Sequence, residues 1–313
     1  MLLLAAALLA AGSTTEAVAQ TGKKRPPRVG TLGITGLQPT AVTVRGVVNP
    51  VGEATNVHVQ YGAGRRLTAT TPAHPVPAGN KNVQVRVALT NLAAVTRYSF
   101  RVIAISVDGR ANGAIKTFKT PKIPPSATLA ASPPVVKPGQ TVALTGTIGG
   151  TGAGGSRVIA EQRPFPFVAP FAAFPNAQIA AANGSFAFHA QPAVNTHFRV
   201  RATVGGRATA SPIVSVGVAP WVALRVRRVS GGRVRFSGSI RPGGDAVVKL
   251  RRLTPRGRRL TISRTTASGQ SVARFRFRSR RLRRTARYLV LVQPTNAAYV
   301  KTESEPRKVR RSR

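Results

Sequence analysis

The chain is 313 residues long and 42% apolar, enough for two or three ordinary domains with folded cores. It has no cysteine, which excludes disulfide staples, thiolate catalysis and Cys-based zinc sites. Lys and Arg number 48 against 7 Asp and Glu, and the net charge of +41 draws polyanions and repels itself.

Residues 1–19 read as a secretory signal peptide. The apolar run 2–11 is too short to span a bilayer, and Ala17-Val18-Ala19 is an A-x-A cleavage site. No later run reaches spanning length, so no integral membrane segment is expected, and the place expected for the protein is outside the cell or on its surface. Residues 20–31 are a basic, proline-containing linker (T-G-K-K-R-P-P-R at 21–28).

From residue 32 to 121 the pattern is that of half-buried strands. Val42, Val44 and Val48 precede the turn signal Asn49-Pro50; Val57, Val59 and Tyr61 alternate; residues 71–80 hold three prolines and read as loop. In residues 83–105 two alternating runs flank a short connection, with Val83, Val85, Val87 and Leu89 on one side and Tyr98, Phe100 and Val102 on the other. Asp108-Gly109 reads as a hairpin turn. The run Gly46-Val47-Val48-Asn49-Pro50 and the spacing Leu92-x-x-x-Thr96-x-Tyr98-x-Phe100-x-Val102-x-Ala104 resemble a fibronectin type III domain of secreted bacterial proteins. The resemblance implies a tyrosine corner at Tyr98, whose hydroxyl bonds back to nearby backbone. The family usually has Pro or Gly between the Leu and the Thr; Ala93-Ala94-Val95 stands here, so a looser corner is expected.

Pro121-Lys122-Ile123-Pro124-Pro125 marks a boundary, and residues 122–217 form a second module. Pro138-Gly139-Gln140 leading into Val142-Ala143-Leu144-Thr145-Gly146-Thr147-Ile148 resembles the first strands of bacterial Ig-like domains. Gly-rich residues 149–155 lack the Lys-Ser/Thr of a phosphate loop and read as a strand connection; Asn183-Gly184 is a tight turn. Residues 218–306 repeat this module. Residues 234–240 match 142–148, residues 247–252 match 158–163, Phe275-Arg276-Phe277 matches Phe186-Ala187-Phe188, and Tyr288-Leu289-Val290 matches Phe198-Arg199-Val200. Residues 307–313 are a basic tail expected to be disordered. The fold expected is therefore all-β: three antiparallel β-sandwich modules in series, fibronectin III-like and then Ig-like, after a signal peptide.

Little in the chain supports catalysis. The few carboxylates cannot supply a facing pair in each module, and His58, His74, His189 and His197 have no metal-ligand spacing. No enzyme activity, metal, cofactor or small-molecule substrate is expected. Two features stand out. Residues 218–313 hold 27 Lys and Arg against three acids. In them Arg274, Arg276 and Arg278 share a strand face while Phe275 and Phe277 point inward; Arg280, Arg281, Arg283, Arg284 and Arg287 crowd one connection, and Arg251, Arg252, Arg256, Arg258 and Arg259 another. These read either as a polyanion-binding set or as a solvated face reflecting an Arg-rich composition. The second feature is residues 163–175, whose Phe165, Phe167, Phe171 and Phe174 alternate with prolines. They either fold over an open edge of the second module or form an exposed apolar contact for a partner. Trp221, beside the Ala219-Pro220 boundary, reads as interface packing rather than a sugar platform. The expected function is that of an exported, cell-surface structural or binding protein whose third module holds anionic envelope polymers. The alternatives are an extracellular nucleic-acid or acidic-polysaccharide binder and a carbohydrate-binding protein using loop aromatics. No recognition-helix pattern supports sequence-specific DNA reading.

Overall fold

The computed structural model describes residues 25–311; the expected signal peptide lies outside them. Among the described residues every regular element is a strand, and no helix is long and apolar enough to cross a membrane. All long pairings are antiparallel, and the cores form three separate apolar clusters. The chain divides into two compact units, up to Lys122 and from Ile123 onward.

The first unit is one sandwich. One sheet pairs Arg28–Thr35, Val42–Asn49 and Val83–Leu89. The other is centred on Thr55–Ala63 and Arg97–Ser106, edged by Gly109–Asn112 and Lys116–Lys119. Period-two alternation sends Val44, Val48, Val57, Val59, Phe100 and Val102 into the space between them. Each such side chain contributes about 1.5–3 kcal/mol by leaving water. The tyrosine corner is closed: the Ala93 amide donates to the Tyr98 hydroxyl at 2.9 Å, and the Tyr98 ring stacks on Phe118 at 5.5 Å. Closure through Ala93-Ala94-Val95 places Val95 at φ 56°, a left-handed conformation that a β-branched residue adopts only under strain.

The second unit holds two sandwiches of one plan. In the earlier one, Val142–Gly149 is central between Ala130–Ser132 and Ser185–Ala190, facing a sheet built on Arg157–Pro164, Thr196–Val204 and Val214–Val218. In the later one, Arg233–Arg241 is central between Trp221–Val229 and Ala273–Arg276, facing Arg259–Ala267, Ala246–Leu253 and Ala286–Pro294. Gly146 and Gly238 hold the same place in the two central strands. Each lies opposite a phenylalanine, Phe186 or Phe275, whose ring fills the room a Cβ would need.

The two sandwiches are joined by a seam of hydrogen bonds. Asn195 receives the Val218 amide at 2.7 Å and donates its side-chain amide to the Ala297 carbonyl at 2.7 Å. The Val300 amide donates to the Val218 carbonyl at 2.9 Å, and Tyr299 packs against the earlier core. Lys137 Nζ reaches the Pro220 carbonyl at 3.1 Å and Thr302 Oγ1 at 2.9 Å. Trp221 borders this seam half exposed, its ring 5.6 Å from Lys137 Nζ and its indole N–H donating to the Pro138 carbonyl at 3.4 Å.

Several sequence expectations are corrected. Arg28 to Thr31 are strand rather than linker, because they complete the first sheet against Val47, Val48 and Asn49. His74–Val76, expected as loop, pairs with Thr55, Asn56 and Val57. Val218 belongs to the last strand and core of the second sandwich, so no boundary falls at 217/218. Arg307–Val309 is no loose tail: it pairs with Ala286–Tyr288 and buries Val309. The repeat is also shifted by one at its middle strand. Val248, not Val247, is the counterpart of Val158, since Tyr288 lies opposite Arg252 as Phe198 lies opposite Gln162. A one-residue shift exchanges the two faces, so Arg252 sits on the core side.

Candidate polyanion-binding face

The three-stranded sheet of the third sandwich turns Val234, Phe236, Ile240, Ala273 and Phe275 inward. Alternation then sends Arg233, Arg235, Ser237, Ser239 and Arg241 outward from the central strand. Register aligns these with their neighbours in rows. Arg227 lies opposite Arg235; Arg225, Ser237 and Arg276 form the next row; Ala223, Ser239 and Arg274 the one after; Trp221 lies opposite Arg241. Neighbouring strands are about 4.8 Å apart and successive outward residues on a strand about 7 Å. The small serines make a trough of about 390 Å³ with Arg225 on one wall and Arg274 and Arg276 on the other. None of the ion pairs among the described residues includes an arginine of this face. Like charges directly opposite in a sheet destabilise it, so the field is held at a cost in stability.

The same positions in the second sandwich are bare. Thr145 and Thr147 replace Ser237 and Ser239, while Ala143, Ala187, Ser185 and His189 stand where the third sandwich has Arg235, Arg276, Arg274 and Arg278. Two copies of one frame thus differ in what their outward side chains carry.

The structure distributes the thirteen expected arginines over several places. Arg274 and Arg276 lie on the face just described, and Arg278 is exposed just beyond its edge strand. Arg251 and Arg259 are on the opposite sheet and bind Glu303 at 3.0 and 3.2 Å. Arg256 and Arg258 stand exposed at the turn that opens Arg259–Ala267, and Arg283 is exposed in its connection. Arg280 donates to the Ile262 carbonyl and Arg281 to the Gly231 carbonyl, each at 3.1 Å. Arg252, Arg284 and Arg287 border a separate hollow at the end of the sandwich. Sequence reading missed Arg225, Arg227, Arg235 and Arg241. The alternation of Arg225, Arg227 and Arg235 in R-V-R and R-V-R-F was visible, but the strand pairing that joins them and Arg241 to Arg274 and Arg276 was not.

The phenylalanine segment divides between two roles. Phe174 packs on the second core, edge-on to Phe188 and Phe198. Phe171 lies over the guanidiniums of Arg199 and Arg163, 4.1 and 4.5 Å from the ring centre. Phe167 stacks on His197 at 3.9 Å, and Phe165 meets Phe167 edge to face. Beneath them Glu161 is buried and binds Arg199 at 2.6 Å and Arg201 at 3.5 Å. Burial, helped by the Arg163 charge, lowers the pKa of His197 below the usual histidine value. Among the described residues no group of three His, Asp or Glu could hold a metal ion.

No family model matches the chain, and no curated protein is similar to it. Among solved structures, the sensor domain of the anti-sigma factor RsgI4 of Pseudobacteroides cellulosolvens is similar at 17% identity over 30% of this chain and 89% of its own, with a TM-score of 0.25. The tetra-tandem repeat in the extending region of a large adhesion protein matches at 13% identity, covering 90% of this chain and 74% of its own, with a TM-score of 0.31. The first three fibronectin domains of chicken CNTN1 match at 14% identity, covering 93% of this chain and all of theirs (100%), with a TM-score of 0.27. On its own geometry the chain is an all-β array of antiparallel sandwiches in which the last carries an arginine-lined trough.

Proposed function

We propose that the protein is a non-catalytic, exported binding protein that holds an anionic polymer of the cell envelope through the outward face of Trp221–Val229, Arg233–Arg241 and Ala273–Arg276. The observation that supports this most is the contrast between the two copies of one frame. An Arg-rich genome would charge both outward faces alike, whereas Arg225, Arg227, Arg235, Arg274 and Arg276 gather on the third sandwich and threonine, serine and alanine occupy the second. Rows of arginine across three strands suit a linear chain of phosphates or uronates, whose released counter-ions drive the association.

The test uses the full chain and isolated envelopes across a salt series. Wild type should elute at a few hundred millimolar salt. The variant Arg225→Ser/Arg227→Ser/Arg274→Ser/Arg276→Ser should elute earlier and show a log affinity against log salt slope shallower by roughly 3, at about 0.7 per lost contact. Retention of wild type in 1 M salt, or an unchanged slope in the variant, would refute the reading.

A further inference from the structure

The hollow at the end of the third sandwich is distinct from the trough. It measures about 480 Å³ and is lined by Arg252, Arg284, Arg287, Thr254 and Thr285, with Leu253 and Ala286 giving it an apolar side. Its charge placement is unusual. Arg252 follows fully buried Leu250 by two residues and lies directly opposite buried Tyr288, so it sits on the core side of its strand. Arg252, Arg284 and Arg287 take part in none of the ion pairs among the described residues. Arg252 is half-buried, so its cation stands at a core-facing position without an acid, and an anion in the hollow would offset part of its desolvation.

The second sandwich shows what the same place looks like when it is closed. Gln162 stands at the position of Arg252, and His197 at that of Arg287. There the chain itself covers the strand ends: the Phe165 amide donates to the Asn195 carbonyl at 2.9 Å, and Phe167 stacks on His197. In the third sandwich a short turn, closed by the Thr254 amide on the Arg258 carbonyl, replaces that phenylalanine segment, and the hollow stays open.

We infer that this hollow is a binding site for a single tetrahedral oxyanion, a phosphate or sulfate group, free or carried as an ester on a small sugar-sized body. Arginines bind such oxyanions through paired N–H donors, the two threonines add hydroxyls, and the apolar side takes the face of the organic group. Burial raises the Tyr288 pKa, and the positive charges of Arg252, Arg280 and Arg284 oppose that rise. This site departs from the expectation that no small molecule binds, and it does not depend on the polymer reading, which rests on the other face.

The experiment is calorimetric titration of the full chain, in 150 mM sodium chloride, with inorganic phosphate, glucose 6-phosphate, glucose 6-sulfate and glucose. Saturable one-to-one binding of a charged probe and none of glucose is expected. Arg252→Gln, which installs the residue of the second sandwich, should weaken it by about tenfold or more. Arg284→Gln, in the exposed connection, should do the same without touching a core-facing position. Arg274→Ser/Arg276→Ser should leave it within about twofold. Ester binding tighter than inorganic phosphate assigns the site to an ester; equal binding assigns it to the free anion. Absence of saturable binding, or equal weakening by Arg274→Ser/Arg276→Ser, overturns the inference, while envelope retention still reports separately on the trough.

Discussion

Gly238 lies at the centre of the arginine-bearing sheet, and its replacement by alanine should disable that sheet more than its size suggests. The added Cβ would clash with the Ala223 carbonyl oxygen on one side and with the Phe275 ring on the other, where the Cε1 atom would stand 2.9 Å away. One obstacle is backbone of Trp221–Val229 and the other a ring buried in the core, so neither can swing aside. Overpacking of this kind costs about 1–3 kcal/mol, and loosening the ladder to Trp221–Val229 adds about 1 kcal/mol per weakened bond. We expect a loss of about 3 kcal/mol for Gly238→Ala, or a melting point about 6–12 °C lower for a unit of this size. Urea unfolding followed by the fluorescence of the single tryptophan, Trp221, reads this directly, because Trp221 lies on the strand that must move. Ser239→Ala, one residue on and facing outward, should stay within about 0.5 kcal/mol. In Gly46→Ala of the first sandwich the obstacles are valine methyls, the nearest 2.9 Å away, and about 1–2 kcal/mol is expected. A loss under 1 kcal/mol for Gly238→Ala, or a loss no larger than for Gly46→Ala, would refute the steric reasoning.

Three further outcomes follow from geometry already described. Val95→Gly should stabilise the first sandwich by about 1 kcal/mol in denaturant, since it relieves the left-handed φ of 56° at the tyrosine corner. Lys137→Ala should destabilise the second unit by about 1.5–3 kcal/mol and shift the emission of Trp221, because two charge-assisted bonds of the seam are lost. His197 has its folded pKa lowered from the usual 6.5 by burial and by Arg163, so the unfolded chain binds the proton more readily. Stability of the second unit should therefore be full above pH 6.5 and decline as pH falls below it, and His197→Phe should flatten that part of a melting-temperature profile.

The strands were legible wherever one face is buried and the other wet. Residues 42–48, 142–148 and 234–240 alternate, and each proved to be a central or paired strand of its sheet. Legibility failed where alternation is silent. Val247-Val248 offers two apolar residues in succession, so only pairing with Ala286–Pro294 decides which faces the core. Arg307–Val309 is mostly charged, and backbone hydrogen bonds with a single buried valine hold it in place. The arginine density of residues 218–313 was plain in the sequence, but its division into a trough, a hollow and ion pairs to Glu303 was not. Those groupings come from strand register, which brings Arg225 and Arg276 to one row across fifty residues of chain. The phenylalanine segment posed a choice between covering an edge and facing a partner; Phe174 packs partly buried on the core while Phe171 caps two guanidiniums.

The seam through Asn195, Val218 and residues 297–300 bears on how such a chain can be cut, recombined or inherited. A bead on a string can be removed by severing its two ends. Here Asn195 and Val218 of the earlier sandwich take their partners from a loop that comes more than seventy residues later, between the last strands of the next. A truncation after residue 217 would thus strip Val218 and Tyr299 from the earlier core as well as removing the arginine face. Loss of binding in such a truncation would not identify the binding surface, which only point substitutions on Trp221–Val229 and Ala273–Arg276 can do. The portable unit in any exchange between proteins is the pair, and the bare copy travels with the charged one as its mounting.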